Sequence, residues 1–296
     1  MTHTHYTFSP VAAGLWRLPD WGLDATELAR WTASVADLGV TTIDLADIYG
    51  GYTVEESFGE ALAVGGIGLR DRLQLVTKCN IKLVNERRPD HTRHAYDTSA
   101  AHIVRSVENS LRALQTDRID TLLLHRQDPL MDPGEVASAF DSLRESGKVL
   151  AFGVSNFTPS HFRMLQSFVD VPLVTNQVEA SALCLAPFQD GTLDLALERR
   201  IAPMAWSPLA GGALLTGAGE RPERVREALG SVAEQLGIGL AAAAFAFLTR
   251  HPAGVVPVTG TRSVERVREA LEGAQACLSR EQWFDIWTAS TGAPLP

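Results

Sequence analysis

Cysteine is scarce in this chain. Cys79, Cys184 and Cys277 are its three cysteines among 296 residues, and they lie far apart. They provide neither a disulfide framework nor the paired spacing of a structural zinc site, so we expect reduced thiols and no metal.

Long apolar runs are also lacking. The most apolar segment, GIGLAAAAFAFL at 237–248, is shorter than the roughly 20 residues of a membrane-spanning helix, and we expect it to be a buried helix.

Blocks of basic residues are lacking too. The chain has 26 Lys and Arg against 35 Asp and Glu, a formal net charge of −9, which disfavours a nucleic-acid partner. The first ten residues, MTHTHYTFSP, do not have the basic-then-apolar pattern of a secretory signal. No linker rich in Gly, Ser or Pro divides the sequence. We therefore expect a cytoplasmic protein with no membrane association and one domain over residues 1–296.

Short β-rich runs alternate with helical segments along most of the chain, which predicts a parallel sheet. Eight such runs in 296 residues favour a single-domain α/β fold, the (β/α)8 or TIM barrel, over an open sheet. No G-x-G-x-x-G follows the first run, which weakens the Rossmann alternative. The runs lie at 11–18, 41–47, 73–79, 119–125, 151–156, 173–179, 202–208 and 254–260.

Capping residues mark the ends of the helical segments. Asp24 precedes a segment with apolar residues at helical spacing, and Gly39 follows it. Asp132 and Pro133 open another helix, which ends near Gly147. The polar stretch at 85–99 interrupts this alternation. It predicts either a flap over the functional site or a solvated loop.

Functional groups of such a barrel lie at the carboxyl ends of its strands. Asp44, Lys78 and His125 end three successive runs that are otherwise apolar. Each has an ordinary structural interpretation alone: a partner of a backbone amide, a snorkelling lysine and a buried histidine. Together they are harder to explain, because burying an unpaired charge costs several kcal/mol. A carboxylate and an ammonium at neighbouring strand ends offset each other.

Two acids and two tyrosines compete for a role in TTIDLADIYGGY, residues 41–52. Strand alternation puts Asp44 on the inner face, toward the strand that ends in Lys78, and Asp47 on the opposite face, where capping or turn formation is expected. Tyr49 lies just past the strand end. Tyr52 follows a Gly-Gly turn and is expected at the pocket rim or in packing.

A tyrosine beside a lysine has a chemical use. A free phenol has a pKa near 10, and a nearby ammonium lowers it. Such a tyrosine can protonate a carbonyl oxygen while a histidine orients the same oxygen. Reduction of an aldehyde or ketone, with a cofactor that supplies hydride, is the matching reaction.

At this point the motifs resemble those of the aldo-keto reductase family, especially its short bacterial NADPH-dependent members. The resemblance runs from about Gly14 to Ala270. It is carried by GVTTIDLADIYGG, LVTKC, DTLLLHR, GKVLAFGVSNF, TNQVE, AWSPLAGG and GTRSVERVREA, in this order along the chain.

The resemblance implies a set of roles. Tyr49 is the proton donor, Lys78 lowers its pKa, Asp44 pairs with Lys78, and His125 positions a small-molecule carbonyl substrate. It implies NADPH/NADP+ as cofactor and a monomer by default. Trp206 would stack on the nicotinamide, and Arg266 would bind the 2′-phosphate, although it could instead pair with Glu269 on a surface helix. The implied cofactor-binding residues are Gly14, Leu15, Trp16, Asp44, Ser155, Asn156, Gln177, Trp206, Ser207, Pro208, Leu209, Gly211, Gly260, Thr261, Arg262 and Arg266.

The sequence also departs from the family pattern. Leu15 replaces a common Thr, and Ala270 replaces an Asn that binds adenine in many members. Little sequence follows the last helical segment, so we expect no long C-terminal loop and an open substrate pocket. The expected pocket residues are Trp16, Trp21, Tyr49, Tyr52 and His125.

Two alternatives stay open. A lyase that forms a Schiff base on Lys78 would explain a buried lysine, but not Tyr49 or the Ser-Asn pair at 155–156. A nicotinamide-binding sensor or accessory protein with the same fold would need the cofactor residues without turnover.

Overall fold

The computed structural model describes residues 6–295. Within this range the chain forms ten strands: β1 (Ala12–Gly14), β2 (Thr42–Asp44), β3 (Gln74–Cys79), β4 (Ile81–Lys82), β5 (Ala95–Tyr96), β6 (Ile119–Leu124), β7 (Val149–Ser155), β8 (Leu173–Glu179), β9 (Met204–Trp206) and β10 (Val256–Thr259). All except β4 and β5 form a closed barrel in the order β1, β2, β3, β6, β7, β8, β9, β10. The predicted (β/α)8 barrel is confirmed, and each barrel strand lies at one of the eight predicted runs.

Helices follow the barrel strands, as the alternating pattern predicts. In the described part of the chain they are α1 (Ala25–Asp37), α2 (Val54–Gly65), α3 (Ile67–Arg70), α4 (Ala100–Ala113), α5 (Pro133–Glu145), α6 (Pro159–Gln166), α7 (Thr192–Arg199), α8 (Ala213–Thr216), α9 (Glu220–Leu236), α10 (Leu240–Thr249), α11 (Val264–Gln275) and α12 (Arg280–Thr291).

The predicted helix caps are confirmed. Asp24 accepts a hydrogen bond from the Glu27 amide at 2.8 Å, and the Glu27 carboxylate accepts one from the Asp24 amide at 3.0 Å. Asp132 caps α5, with Pro133 in its first turn. Each cap satisfies amide groups that have no partner inside the helix, which is worth about 1 kcal/mol.

The register of the neighbouring strands positions the candidate site. Asp44 pairs with Val76 across β2 and β3, and Lys78 pairs with Leu123 across β3 and β6. Because alternate residues share a face of a strand, Lys78 lies on the same face as Val76, two residues further along β3. Its side chain therefore leaves β3 next to the end of β2, as the parity argument predicts.

Two compact units can be distinguished. One comprises Ala13–Asn176 with Gly260–Arg262, and the other comprises the remaining described residues. The core of the second unit includes buried apolar residues of α7, α9 and α10, and Ala241 to Leu248 are all buried, which confirms the predicted buried helix. The assignment of residues 1–296 to a single domain stays a prediction.

Of the helices in residues 6–295, none is by itself long and apolar enough to cross a membrane. Taken jointly, α9 and α10 meet the length and composition criteria, but a bend of 94° separates them.

Candidate active site

Lys78 is the centre of the candidate site. Its side chain is 0% exposed, and its ammonium donates to Asp44 Oδ1 at 2.8 Å, to the Leu45 carbonyl at 2.7 Å and to the Tyr49 hydroxyl at 3.1 Å. An ammonium has three N–H groups, so these three acceptors satisfy all of them. The buried cation is fully paired and hydrogen-bonded, which is the condition for keeping it charged in the protein interior.

The local fold explains how Tyr49 reaches this lysine. The Leu45 amide bonds to the Val76 carbonyl, so the chain continues alongside β3 for one more residue after β2. A turn then brings the Tyr49 amide to the Ala46 carbonyl at 3.1 Å. Gly50 follows with φ of 59°, and a Cβ there would lie 2.6 Å from Thr53 Oγ1. Glycine is therefore required for the chain to turn from Tyr49 into α2.

His125 lies directly after β6 and is buried. Its amide bonds to the Cys79 carbonyl at 2.9 Å and to Asn80 Oδ1 at 2.7 Å, and its ring meets that of Tyr49 edge to face at 6.0 Å between centroids. Its Nδ1 is buried and has no hydrogen-bond partner among residues 6–295. The structure thus brings Asp44, Tyr49, Lys78 and His125 together, as the sequence predicts.

The pKa of Tyr49 corrects one expectation. Lys78 does lower it, but burial raises it more, and the net pKa lies above the ordinary value of 10.0. Burial lowers the pKa of the Lys78 ammonium, but Asp44 and Tyr49 raise it by more. The net pKa of Lys78 therefore lies above its ordinary value of 10.5. At neutral pH the phenol therefore keeps its proton and the lysine keeps its charge.

His125 is neutral for a related reason. Burial lowers its pKa well below 6.5, and the cations of Lys78 and Arg126 lower it further. Arg126 also lowers the pKa of Tyr49. Sequence reasoning missed this half-buried arginine. Its position directly after His125, at the same strand end, is the signal that identifies it.

Asp47 is separate from this cluster, in agreement with the parity argument. Its amide bonds to the Lys78 carbonyl at 3.1 Å, whereas the lysine ammonium contacts Asp44. The Asp47 carboxyl is buried, and its Oδ1 has no hydrogen-bond partner in the described residues. Burial and the nearby Glu55 raise its pKa well above 3.8.

The implied cofactor residues of the first unit lie near the same strand ends. Ser155 is buried at the end of β7, and the side-chain nitrogen Nδ2 of Asn156 donates to its hydroxyl at 2.8 Å. Leu15 bonds through its amide to the Asp44 carbonyl at 2.9 Å. Arg262 donates to the Trp21 carbonyl at 2.8 Å, so part of its guanidinium is already engaged.

In the second unit, Gln177 is buried and Trp206 is half-buried at the end of β9. Positive φ angles recur in the following segment, at Ser207, Gly211 and Gly212, and a Cβ at either glycine would meet nothing within 4 Å. This open, glycine-containing backbone fits the predicted contact with a pyrophosphate, because a ligand can approach its amides closely.

Arg266 is exposed on α11. Within the described part of the chain no ion pair joins it to Glu269, whereas on the same helix Glu265 pairs with Arg268 at 2.5 Å. The i,i+3 pairing that offered a purely structural explanation for Arg266 is therefore not formed.

The predicted pocket aromatics differ in environment. Trp16 is 63% exposed, whereas Trp21 is buried and packs edge to face on Trp31. Tyr52 is buried, and its hydroxyl accepts from the Leu83 amide at 2.9 Å and lies 3.2 Å from His91 Nδ1. Tyr52 thus contacts His91 of the inserted segment 85–99, many of whose residues are exposed, and the choice between a flap and a solvated loop stays open. Closure of this segment over the site and its contacts with substrate stay predictions.

Among the side chains of residues 6–295, no cluster of three or more His, Cys, Asp or Glu is arranged to hold a metal ion.

Comparison with known proteins assigns the chain to a family. Residues 10–289 match the model of the Aldo/keto reductase family. The chain is 50% identical over 290 residues to the uncharacterized oxidoreductase YcsN of Bacillus subtilis, covering 98% of this chain and 96% of that one. It is 44% identical over 286 residues to a 6-dehydroglucose reductase of Agrobacterium fabrum, covering 96% and 95%.

A solved structure agrees with these sequence matches. The aldo-keto reductase of Klebsiella pneumoniae in complex with NADPH superposes with a TM-score of 0.78 at 26% identity, covering 98% of this chain and 93% of that one. Fold, site geometry and sequence lead to one conclusion: the chain belongs to the aldo/keto reductase family.

Proposed function

We propose that this protein reduces an aldehyde or ketone to an alcohol with NADPH, and that Tyr49 donates the proton. The observation that carries the proposal is the buried chain of hydrogen bonds from Asp44 through Lys78 to the Tyr49 hydroxyl. An uncharged phenol held by a fully paired lysine cation is suited to proton donation.

The residues present fit the cofactor. In the first unit, Ser155 and Asn156 supply hydroxyl and amide groups that suit a carboxamide. In the second unit, Gln177 supplies a further side-chain amide, and the glycine-containing backbone of Ser207–Gly212 is open to the approach of a pyrophosphate. Arg266 supplies a planar cation for a phosphate. When bound, the reduced nicotinamide supplies the hydride. The NADPH complex of the Klebsiella relative supports this assignment.

The chain's own residues handle the proton. Tyr49 carries it at neutral pH, because its pKa lies above 10.0. As the proton moves to the carbonyl oxygen, negative charge forms on the phenol, and the Lys78 ammonium at 3.1 Å stabilises it. Asp44 and the Leu45 carbonyl fix that ammonium. Neutral His125 donates one N–H to the same carbonyl oxygen and orients it.

The names of two relatives indicate a narrower substrate class than aldehydes and ketones in general. These two proteins, 44% and 36% identical to this chain, are named 6-dehydroglucose reductase. A sugar aldehyde is therefore the first compound to test, within a panel of aldehydes, ketones and α-dicarbonyls. NADPH oxidation followed by its absorbance ranks the panel.

The central experiment is Tyr49→Phe. The variant should lose about 100-fold or more in carbonyl reduction, because general acid catalysis contributes 10²–10⁴-fold, while NADPH affinity stays nearly unchanged. Full activity in this variant would refute Tyr49 as the proton donor. Tight NADPH binding by the wild type without turnover of any carbonyl would instead favour the sensor alternative.

The lyase alternative is disfavoured by the state of Lys78. A Schiff base needs a neutral, accessible amine, whereas this ammonium is buried, has three acceptors and has a raised pKa. Borohydride trapping with a carbonyl compound and mass spectrometry tests this point. A stable adduct on Lys78 would reverse the preference.

A further inference from the structure

Asn80 is a buried polar residue that the proposed chemistry does not use. It follows β3 two positions after Lys78, is 0% exposed and has a φ of 88°. A non-glycine residue in this left-handed region is uncommon, and Asn is one of the few that tolerate it. Such a conformation persists only where the surrounding structure holds it.

The Asn80 carboxamide binds the backbone of the neighbouring strand end. Its Oδ1 accepts from the amides of His125 at 2.7 Å and Arg126 at 3.1 Å, and its Nδ2 donates to the Arg126 carbonyl at 3.0 Å. The pairing of β3 with β6 ends at Cys79 and Leu124. The side chain therefore continues the hydrogen bonding one residue beyond the end of the ladder, where the chain emerges with His125.

The contact of Asn80 with the main chain matters for the orientation of the imidazole ring of His125. A functional histidine is usually oriented by a hydrogen bond from its second ring nitrogen to a carboxylate or a carbonyl. Here Nδ1 of His125 is buried and has no such partner among residues 6–295. The orientation of the ring therefore depends on the placement of its main chain and on its edge contact with Tyr49.

We propose that Asn80 is a positioning residue for His125: its carboxamide fixes the main chain at the end of β6 and thereby holds the imidazole against Tyr49. The inference rests on the proposed function, because it assigns His125 a part in carbonyl reduction. Asn80 itself need not touch substrate or cofactor. Its own carbonyl accepts from the Asp97 amide at 2.9 Å, so the same residue also fixes the end of the inserted segment.

The test is a double-mutant cycle with Asn80→Gly and His125→Ala. Glycine keeps the left-handed backbone and removes the carboxamide. Asn80→Gly should lower kcat about 10- to 100-fold, the cost of a small misplacement of a catalytic group, with the Kd for NADPH unchanged. In the His125→Ala background the same change should cost less than about 2-fold, because residues that act as a unit are not additive.

The cycle distinguishes two failures. If His125→Ala keeps full activity, the role of His125 in the proposed function is wrong. If His125→Ala is impaired and Asn80→Gly costs the same factor in both backgrounds, the positioning role of Asn80 is wrong. An unchanged kcat in Asn80→Gly alone also overturns it.

Two further variants guard against a general loss of structure. Asn80→Asp keeps the acceptors for both amides and tolerates the same φ, so it should retain more kcat than Asn80→Gly. In the His125→Ala background it should also cost less than about 2-fold. Asn176→Ala is the matched control, since buried Asn176 binds the amide and carbonyl of Phe157 at 3.3 and 2.8 Å. Its effect on kcat should persist undiminished in the His125→Ala background; a loss that disappears there, as for Asn80, would mean that the cycle reports general destabilisation and would overturn the proposal.

Discussion

The ammonium of Lys78 donates a hydrogen bond to the hydroxyl of Tyr49 at 3.1 Å, yet the pKa of this phenol lies above its ordinary value. Burial penalises the phenolate more than the lysine favours it. The lysine therefore does not ionise Tyr49 in advance. In the proposed reaction it keeps a compensating charge in place for the moment when the proton leaves, and its ion pair with Asp44 stabilises that buried charge.

Lys78→Met should abolish carbonyl reduction and should also destabilise the fold. Removing one partner of a buried ion pair costs about 3–5 kcal/mol, because it takes away the cation that stabilises the buried carboxylate of the other partner. Replacing both residues, as Asp44→Leu with Lys78→Met, should recover part of this free energy without restoring activity. Urea denaturation and NADPH oxidation measure the two effects. If the double variant is no more stable than Lys78→Met, charge pairing is not what stabilises this site.

Arg126→Met should move the acid limb of the pH–rate profile to higher pH. The arginine cation lowers the pKa of His125, so its removal raises that pKa, and the imidazole gains its proton at a higher pH. The profile of kcat/KM, which reports groups of the free enzyme, is the measurement. Arg87→Met is the control, because exposed Arg87 pairs with Glu56. Identical acid limbs in wild type and Arg126→Met would exclude this effect.

Much of the fold and of the site could be predicted from the sequence, for identifiable reasons. Strands and helices have different periodicities, so the eight alternating strand and helix segments can be recognised in the sequence. Strand parity also predicts that Asp44, not Asp47, faces Lys78. The caps at Asp24 and Asp132 are local signals that tertiary packing does not alter.

Other features depend on tertiary distances that no local pattern encodes. The net pKa of Tyr49 is set by how deeply the ring is buried. Arg262 donates to Trp21, a residue 241 positions away in the chain. Tyr52 contacts Leu83 and His91, more than 30 residues later, and the carboxamide of Asn80 binds a strand end 45 residues later. These contacts become visible only when the elements are assembled.

Arg266→Ala should weaken the binding of NADPH far more than that of NADH. The 2′-phosphate distinguishes the two cofactors, and an exposed guanidinium without an ion pair to Glu269 is available to bind it. We expect a loss of about 10-fold or more in NADPH affinity, which corresponds to roughly 1.4 kcal/mol for a charged hydrogen bond. Fluorescence titration with both cofactors provides the comparison.

The control for this prediction lies on the same helix. Arg268 is also exposed, but it pairs with Glu265, so Arg268→Ala should leave both affinities nearly unchanged. Equal losses for NADPH and NADH in Arg266→Ala would show that Arg266 does not read the 2′-phosphate.

Asp47→Asn should flatten part of the dependence of stability on pH. Burial raises the pKa of Asp47 in the folded state above its ordinary value near 3.8, so the folded protein binds this proton more tightly than the unfolded chain does. The resulting stability is fully present below the ordinary pKa and is lost as pH rises through the raised one. The free energy of unfolding of the variant, minus that of wild type, should therefore increase with pH from about 4 upward.

Urea denaturation at a series of pH values measures this difference, and titration of the histidines cancels from it because both proteins share them. The isosteric change Asp141→Asn, at an exposed carboxylate, is the control and should give a flat difference. A flat difference for Asp47→Asn as well would mean that the buried carboxyl of Asp47 has no raised pKa.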